Sequence, residues 1–284
     1  MPNNIELFKQ YVPLLDEVYK LASLTSVLDG SPELVSAGAN ANELIIPKLD
    51  MSGLADYSRN SGYVDGDVTL TYESVKCNFD RGRMFTVDTL DNAETAGIAY
   101  GRLASEFIRT KVTPELDAFR LAKYASIEGI GGATGELTTG ANVITALRAA
   151  KNDMSEAEVP ENERYLFITP TLYGMIQDLD TTKSKAAVEG FAGIIQVPQS
   201  RFYTAITQVA NGNGGYTKAD GAAEINFTII HKPAVIQFQK HVAPKVITPE
   251  ANQSSDGWKF GYRNVGIADA YENKLAGIYV HKKA

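Results

Sequence analysis

Residues 79 to 126 constrain the fold more than any other stretch of the chain. Phe79-Asp80-Arg81-Gly82-Arg83-Met84-Phe85-Thr86-Val87-Asp88 reads as an extended, charged ribbon that runs straight into a helical pattern. Ala104, Ile108, Val112, Leu116, Phe119 and Ala122 step by four or three residues and line one helical face. From Asn92 to Ser126 such a helix would be roughly 50 Å long, more than the diameter of a small domain. An element of that length needs neighbours to cover it, which points to an assembly subunit rather than a self-contained catalyst. Asp91 and Glu94 form an acidic capping pair at its start. Pro114 interrupts the pattern. Either the helix kinks there, or Thr113 caps a second helix with Pro114 at its first position.

The 284 residues suffice for one large domain or two ordinary ones, and 44% hydrophobic residues can bury a substantial core. No apolar run approaches the ~18 residues a membrane helix requires. The N-terminal Met-Pro-Asn-Asn-Ile-Glu has no basic-then-apolar pattern, so no secretory leader is expected. One cysteine, Cys77, rules out an intrachain disulfide framework and suits a cytoplasmic origin. With no histidine near it in sequence, Cys77 reads as a small strand residue rather than a nucleophile. A net charge of −7, with Lys and Arg scattered among carboxylates, argues against nucleic-acid binding by the chain as a whole.

Residues 5 to 30 read as a helical arm, with Leu14, Leu15, Val18, Leu21 and Ala22 at helical spacing, ended by Gly30-Ser31-Pro32. Residues 43 to 88 alternate with period two: Val68, Leu70 and Tyr72 against Thr69, Thr71 and Glu73, then Val75, Cys77 and Phe79 against Lys76, Asn78 and Asp80. With the turn-rich tip from Arg59 to Asp67, this predicts a long β-hairpin that needs a surface to lie on. Glycines 129, 131, 132, 135 and 140 read as a flexible crossing. Beyond it, helices at 142–154 and 169–179 alternate with extended segments at 164–168, 191–197 and 225–230, a compact α/β region from about 129 to 235. Long strands return from Ala234, broken by the polar turn Asn252 to Gly257.

No catalytic, cofactor or metal motif emerges. His231, His241 and His281 form no metal-binding pair at helical spacing, and no nucleophile elbow is present. Gly131-Gly132-Ala133-Thr134-Gly135-Glu136 lacks the Gly-Lys-Ser/Thr ending of a phosphate loop. Asn226-Phe227-Thr228 is a glycosylation triplet inside a strand pattern, and Asp65/Asp67 and Asp178/Asp180 read as turn formers. The residues of interest are instead interface types. Arg59, Arg81 and Arg83 on the ribbon are forked donors suited to carboxylates of a neighbouring chain. Trp258, Tyr262 and Arg263, with Phe260, form a second cluster of such types.

In order along the chain, Gly53-Leu54-Ala55-Asp56-Tyr57-Ser58-Arg59-Asn60, Gly62-Tyr63, Asp80-Arg81-Gly82 and Phe85-Thr86-Val87-Asp88 resemble the extended loop of tailed-bacteriophage major capsid proteins. Asp91, Glu94-Thr95, Glu106-Phe107-Ile108-Arg109-Thr110, Val112, Pro114-Glu115, Asp117 and Arg120 are similar to that family's entry into its spine helix. Val159-Pro160, Arg164-Tyr165-Leu166 and Thr169-Pro170 resemble its axial domain, and Lys274 with Gly277-Ile278-Tyr279 its C-terminal strand. The resemblance runs from about residue 5 to 281.

The resemblance implies an α+β, HK97-like capsid fold. Its expected parts are an N-terminal arm (1–42), an extended β-hairpin loop (43–90), a peripheral domain of spine helix and long strands (91–128 and 236–284) and an axial α/β domain (129–235). It implies a shell subunit that forms pentamers and hexamers around double-stranded DNA, without sequence-specific DNA binding. Arg59, Arg81, Arg83, Glu94, Glu106, Arg109, Trp258, Tyr262 and Arg263 are the expected assembly residues. Further expected partners are a separate scaffolding protein (no long N-terminal extension is evident), a portal and a decoration protein. The expected location is the virion, assembled in the host bacterial cytoplasm. The alternatives are an encapsulin-like nanocompartment with the same fold, a small-molecule hydrolase, and a β-rich adhesion or decoration protein, which the long helix fits poorly.

Overall fold

The computed structural model describes residues 23–30, 36–37, 43–60, 62–90 and 103–284. The residues expected to form the arm helix before Ser23, and the capping pair Asp91/Glu94, lie outside these. Within 23–30 the chain forms only a 3₁₀ turn at Ser26–Leu28, not the end of an α-helix.

The strongest alternation in the sequence becomes a hairpin. β1 (Ser36–Ala37) lies beside β2 (Glu43–Met51), which pairs antiparallel with β3 (Val68–Lys76) from Glu43↔Lys76 to Met51↔Val68. The chain then changes sheet. β4 (Phe79–Asp88) pairs with β12 (Gly257–Ala270), which pairs along its other edge with β11 (Val235–Ile247). The expected single ribbon is thus two strands in different sheets. The switch at Cys77-Asn78 is held by Asn78, whose Nδ2 donates to Ala268 O at 2.7 Å while its Oδ1 accepts from Ala268 N at 3.1 Å. Val75 packs beneath it on Ile236 and Ile267, with Cys77 half-buried alongside.

The long helix is present over the described residues as α1 (Leu103–Phe107), a π-helical turn (Ile108–Val112) and α2 (Thr113–Ala125). Thr113 is not a cap. Its backbone is helical, its amide reaches back to Ile108 O, and its Oγ1 donates to the same carbonyl at 3.0 Å. Pro114 has no N–H to bond a preceding carbonyl, and the irregular turn lies immediately before it. The most deeply buried face of α2 is Asp117, Ala118, Leu121 and Tyr124, displaced from the apolar face read in the sequence.

A five-stranded sheet carries the main core, in the order β5 (Gly131–Thr134), β13 (Ile278–Lys282), β10 (Ile225–His231), β6 (Arg164–Ile168), β7 (Gly193–Gln196). Both faces are covered, so side chains of either parity are apolar. Leu166, Ile168, Phe227, Ile229 and Tyr279 pack on α3 (Gly140–Glu156), α4 (Pro170–Gln177) and α5 (Thr182–Val188). Phe167, Ile230, Ile278 and Val280 face the other way, against Leu28, Leu121, Tyr124 and Val235.

Two expectations are corrected here. Gly131 to Thr134 is a strand parallel to β13, not a flexible crossing, and its glycines make room. A Cβ on Gly131 would come within 2.9 Å of the Tyr279 ring, and one on Gly132 within 2.9 Å of Val280 O. The C-terminal strand belongs to this sheet, between β5 and β10, not with β11 and β12. The Asn226-Phe227-Thr228 triplet is buried in β10. A small hairpin, β8 (Ile206–Gln208) with β9 (Tyr216–Lys218), completes the described fold.

Candidate assembly surfaces

The hairpin has a pattern that a monomer does not satisfy. Cross-strand register places Pro47 opposite Tyr72, Leu49 opposite Leu70 and Met51 opposite Val68 on one face. That face is apolar, yet Leu49, Met51, Val68, Leu70 and Tyr72 are each more than half exposed. The other face carries Lys48, Asp50, Thr69, Thr71 and Glu73. Leu54, Tyr57, Tyr63 and Val64 extend the exposed apolar surface to the tip, where the two tyrosine rings meet edge to face at 4.9 Å. An apolar surface this continuous marks an interaction site. Midway along the hairpin Lys48 pairs with Glu272 at 3.0 Å. Burial first, then the Glu272 carboxylate, raises the Glu73 carboxyl above its ordinary value.

The expected interface residues divide by position. Arg59 is exposed at the tip. Arg81 and Arg83 lie on β4 rather than on the hairpin, and both bind within the chain. Arg81 Nε donates to Glu115 Oε1 at 2.8 Å and its Nη2 to Val209 O at 2.9 Å. Arg83 Nη2 donates to Gly212 O at 2.7 Å, so the two arginines clasp the glycine-rich loop at 209–215. Gly214 in this loop has φ +67°, a backbone conformation that disfavours any other residue, and a Cβ there would come within 2.9 Å of Arg83 Nη1 and displace the guanidinium. Glu106 and Arg109 pair with each other one turn apart, both carboxylate oxygens accepting from Nη2 at 2.9 and 2.7 Å. Arg263 pairs with Asp80 on the neighbouring strand, at 2.9 and 2.6 Å, on the exposed side of the sheet. Tyr262 is buried on the opposite side, edge-on to Phe107. Trp258 is half-buried across from Val87.

Two features were not anticipated. The first is a buried polar network that fastens residues 23–29 to the long helix. Asp117 is fully buried and accepts from Ser23 Oγ (3.0 Å), Leu24 N (2.9 Å), Thr25 N (3.2 Å), Thr25 Oγ1 (2.7 Å) and Arg201 Nη1 (3.0 Å). Arg120 Nη1 donates to Thr25 Oγ1 at 3.0 Å, and Tyr124 OH to Gln237 Oε1 at 2.9 Å. Burial pushes the Tyr124 hydroxyl well above its ordinary value. Spacing could have flagged this network: Asp117, Arg120 and Tyr124 fall three and four residues apart, a polar stripe on one helix face.

The second is a cavity of about 670 Å³ between the π-helical turn, the β4/β12 sheet and the clasped loop. Phe79, Phe85, Phe107, Val112, Val209 and Tyr262 supply much of its lining. Asn264 also lines it; this side chain is 2% exposed and its Oδ1 has no hydrogen-bond partner among the described residues.

His281 stacks on Phe227, and Asn226 Nδ2 lies 3.1 Å from its Nδ1. The amide can only donate there, so Nδ1 accepts and Nε2 carries the proton. Burial lowers the imidazole's proton affinity. Among the described residues no three His, Cys, Asp or Glu cluster as a metal site, and no described helix is long and apolar enough to cross a membrane.

No protein-family model and no curated protein matches the chain. Its fold nevertheless matches solved structures over nearly its whole length. The bacteriophage PhiM1 mature capsid superposes with a TM-score of 0.69 at 12% identity, covering 99% of this chain and 92% of that one. The capsid of cyanophage P-SCSP1u gives 0.63 at 14% identity, covering 100% and 97%. The capsid of Myoviridae phage XM1 gives 0.62 at 13% identity, covering 100% of both. At these identities the likeness is one of fold: a mixed α+β arrangement of several sheets and few helices shared with phage capsid structures.

Proposed function

We propose that this chain is the major capsid protein of a tailed bacterial virus. Many copies close into the pentamers and hexamers of an icosahedral shell around double-stranded DNA. The observation that carries the reading is the hairpin. Its apolar face is exposed from the Pro47–Tyr72 pair to the Met51–Val68 pair at the tip, a pattern with no purpose in an isolated subunit and an obvious one in a lattice of copies. Whole-length similarity of fold to phage capsids supports it. In this reading the hairpin is the extended loop and α1–α2 the spine helix. The sheet β11–β12–β4 is the peripheral domain, and the five-stranded sheet with its helices is the axial domain, whose outer end meets other copies at the symmetry axes.

The mechanism is geometric. Each contact contributes little, and closure of many contacts at once stabilises the shell. An acidic subunit suits a container into which DNA must slide, because it offers no dense cationic lining to hold phosphates. Scaffolding, portal and decoration proteins are the partners expected, the virion the location, and the bacterial cytoplasm the place of assembly. No catalytic step is assigned to any residue.

The test is expression of the full chain alongside a Leu49→Lys/Leu70→Lys variant, read by electron microscopy and size exclusion. The unaltered chain should yield shells or capsomers. The variant should stay a folded monomer with an unchanged thermal midpoint. An unaltered chain that remains monomeric even with its virion partners present, and turns over a substrate, would overturn the reading.

A further inference from the structure

We propose that the cavity between the π-helical turn, the β4/β12 sheet and the 209–215 loop is a small-molecule site. The ligand class it takes is a two-ring aromatic anion with an O–H group at the end opposite its carboxylate. The inference goes beyond the shell reading and does not depend on it.

Wall chemistry sets the body of the ligand. At about 670 Å³ the cavity is within the size range of small-molecule pockets. Phe79, Phe85, Phe107 and Tyr262 line it. Phe107 stands edge-on to Phe85 at 4.8 Å and to Tyr262 at 6.2 Å, so these rings brace one another. Planar aromatic guests match such walls, stacked or edge-on. The space is also preformed. Arg81 donates to Val209 O and Arg83 to Gly212 O, which fixes the loop on one side. A site that is already ordered loses little conformational freedom on binding.

Asn264 sets the inner end. It lies two residues beyond Tyr262 on β12, so the two side chains share a face of the sheet. Asn264 lines the cavity, is 2% exposed, and its Oδ1 accepts from no described residue. A buried acceptor without a donor costs stability. Rotation about χ2 brings this oxygen to the cavity side, where a ligand O–H can donate to it.

Charge sets the outer end. Of the carboxylates lining the cavity, Glu115 is paired with Arg81 and Glu106 with Arg109. Arg83 and Lys111 also line it, are exposed, and have no carboxylate partner among the described residues. The mouth is therefore cationic, and a ligand carboxylate there meets two cations while its rings stay inside. Lys111 belongs to the π-helical turn, a feature that recurs at functional sites.

Calorimetry on the purified full chain tests the site with three probes. Hydroxybiphenyl carboxylate, with its hydroxyl and carboxylate at opposite ends, should bind saturably at a single site and raise the thermal midpoint. Biphenyl carboxylate, without the O–H, and hydroxybiphenyl, without the charge, should each bind about tenfold more weakly. Asn264→Leu should erase the advantage of the hydroxylated acid over biphenyl carboxylate. It should not lower the unliganded thermal midpoint, because the unpaired buried oxygen is gone. Lys111→Gln should weaken both acids and leave hydroxybiphenyl unchanged. Lys111 is exposed, so this arm reads out even where Asn264→Leu fails to fold. The hairpin variant Leu49→Lys/Leu70→Lys should bind like the parent, which separates the cavity from the exposed apolar strands. Absence of saturable binding, equal affinity for the three probes, a preference for the hydroxylated acid that survives Asn264→Leu, or binding lost in the hairpin variant overturns the site. None of these outcomes involves assembly, so each leaves the shell reading standing.

Discussion

A carboxylate taken fully out of water is tolerated only when its lone pairs are occupied, and Asp117 meets that condition with five donors. Its partner Arg201 is itself only 3% exposed. Replacing Asp117 with alanine leaves a buried guanidinium without its anion and frees the amides of Leu24 and Thr25. Asp117→Ala should cost about 3–5 kcal/mol in urea unfolding. It should also open residues 23–30 to proteolysis, because the link between this segment and the helix is lost. A loss below ~1 kcal/mol would mean the segment is held by apolar contacts such as those of Leu28 instead. The sequence held this site in plain view as a polar stripe. It did not reveal the partners, because Ser23, Thr25 and Arg201 are brought to the helix from 94 to 84 residues away.

Among the elements, the hairpin was legible because period-two alternation is a local property of the chain. Its end was not. The alternation shifts phase between Tyr72 and Val75, inside β3, and then runs on through Cys77 and Phe79, so nothing in it marks the change of sheet at Cys77-Asn78, which depends on a side-chain bridge to Ala268. The consequence is practical. Deleting residues 59–83 would remove β3, half of β4, and the buried Val75 and Phe79, so that variant should fail to fold. Replacing only residues 52–67 with Asn-Gly joins Met51 to Val68, which already face each other, by a turn suited to a hairpin. That variant should melt within a few degrees of the parent and assemble no shells. Shells from the tip-less chain would show that the paired strands alone make the contact. The glycines at 131 and 132 were misread for a related reason. Glycine marks a flexible loop or a close approach equally well, and only the neighbouring strand distinguishes them.

For the molecule as a whole, the last strand is decisive. β13 lies between β5 and β10, and Ile278, Tyr279 and Val280 are at most 5% exposed. Removing residues 278–284 would split the sheet, strand β5 at its edge and uncover both apolar faces. The truncated chain should be recovered insoluble or lack a cooperative thermal transition by circular dichroism. A soluble truncation with an unchanged transition would show that β10, β6 and β7 hold the core without it. The buried strand's type was readable from its apolar run, but its place was not, since the preceding strands β11 and β12 pair with each other in another sheet.

By itself the sequence determined the local character of this protein: which stretches alternate, which repeat at helical spacing, and where turns fall. Those properties are set within a few residues of chain. Only the tertiary structure decided which face of the long helix is buried and where the last strand lies. It also hydrogen-bonded Arg81 and Arg83 to the chain's own 209–215 loop and left the hairpin's apolar face uncovered. Each of these depends on contacts between residues far apart in the chain, where packing and hydrogen-bond satisfaction, not local preference, select among arrangements the sequence pattern leaves open.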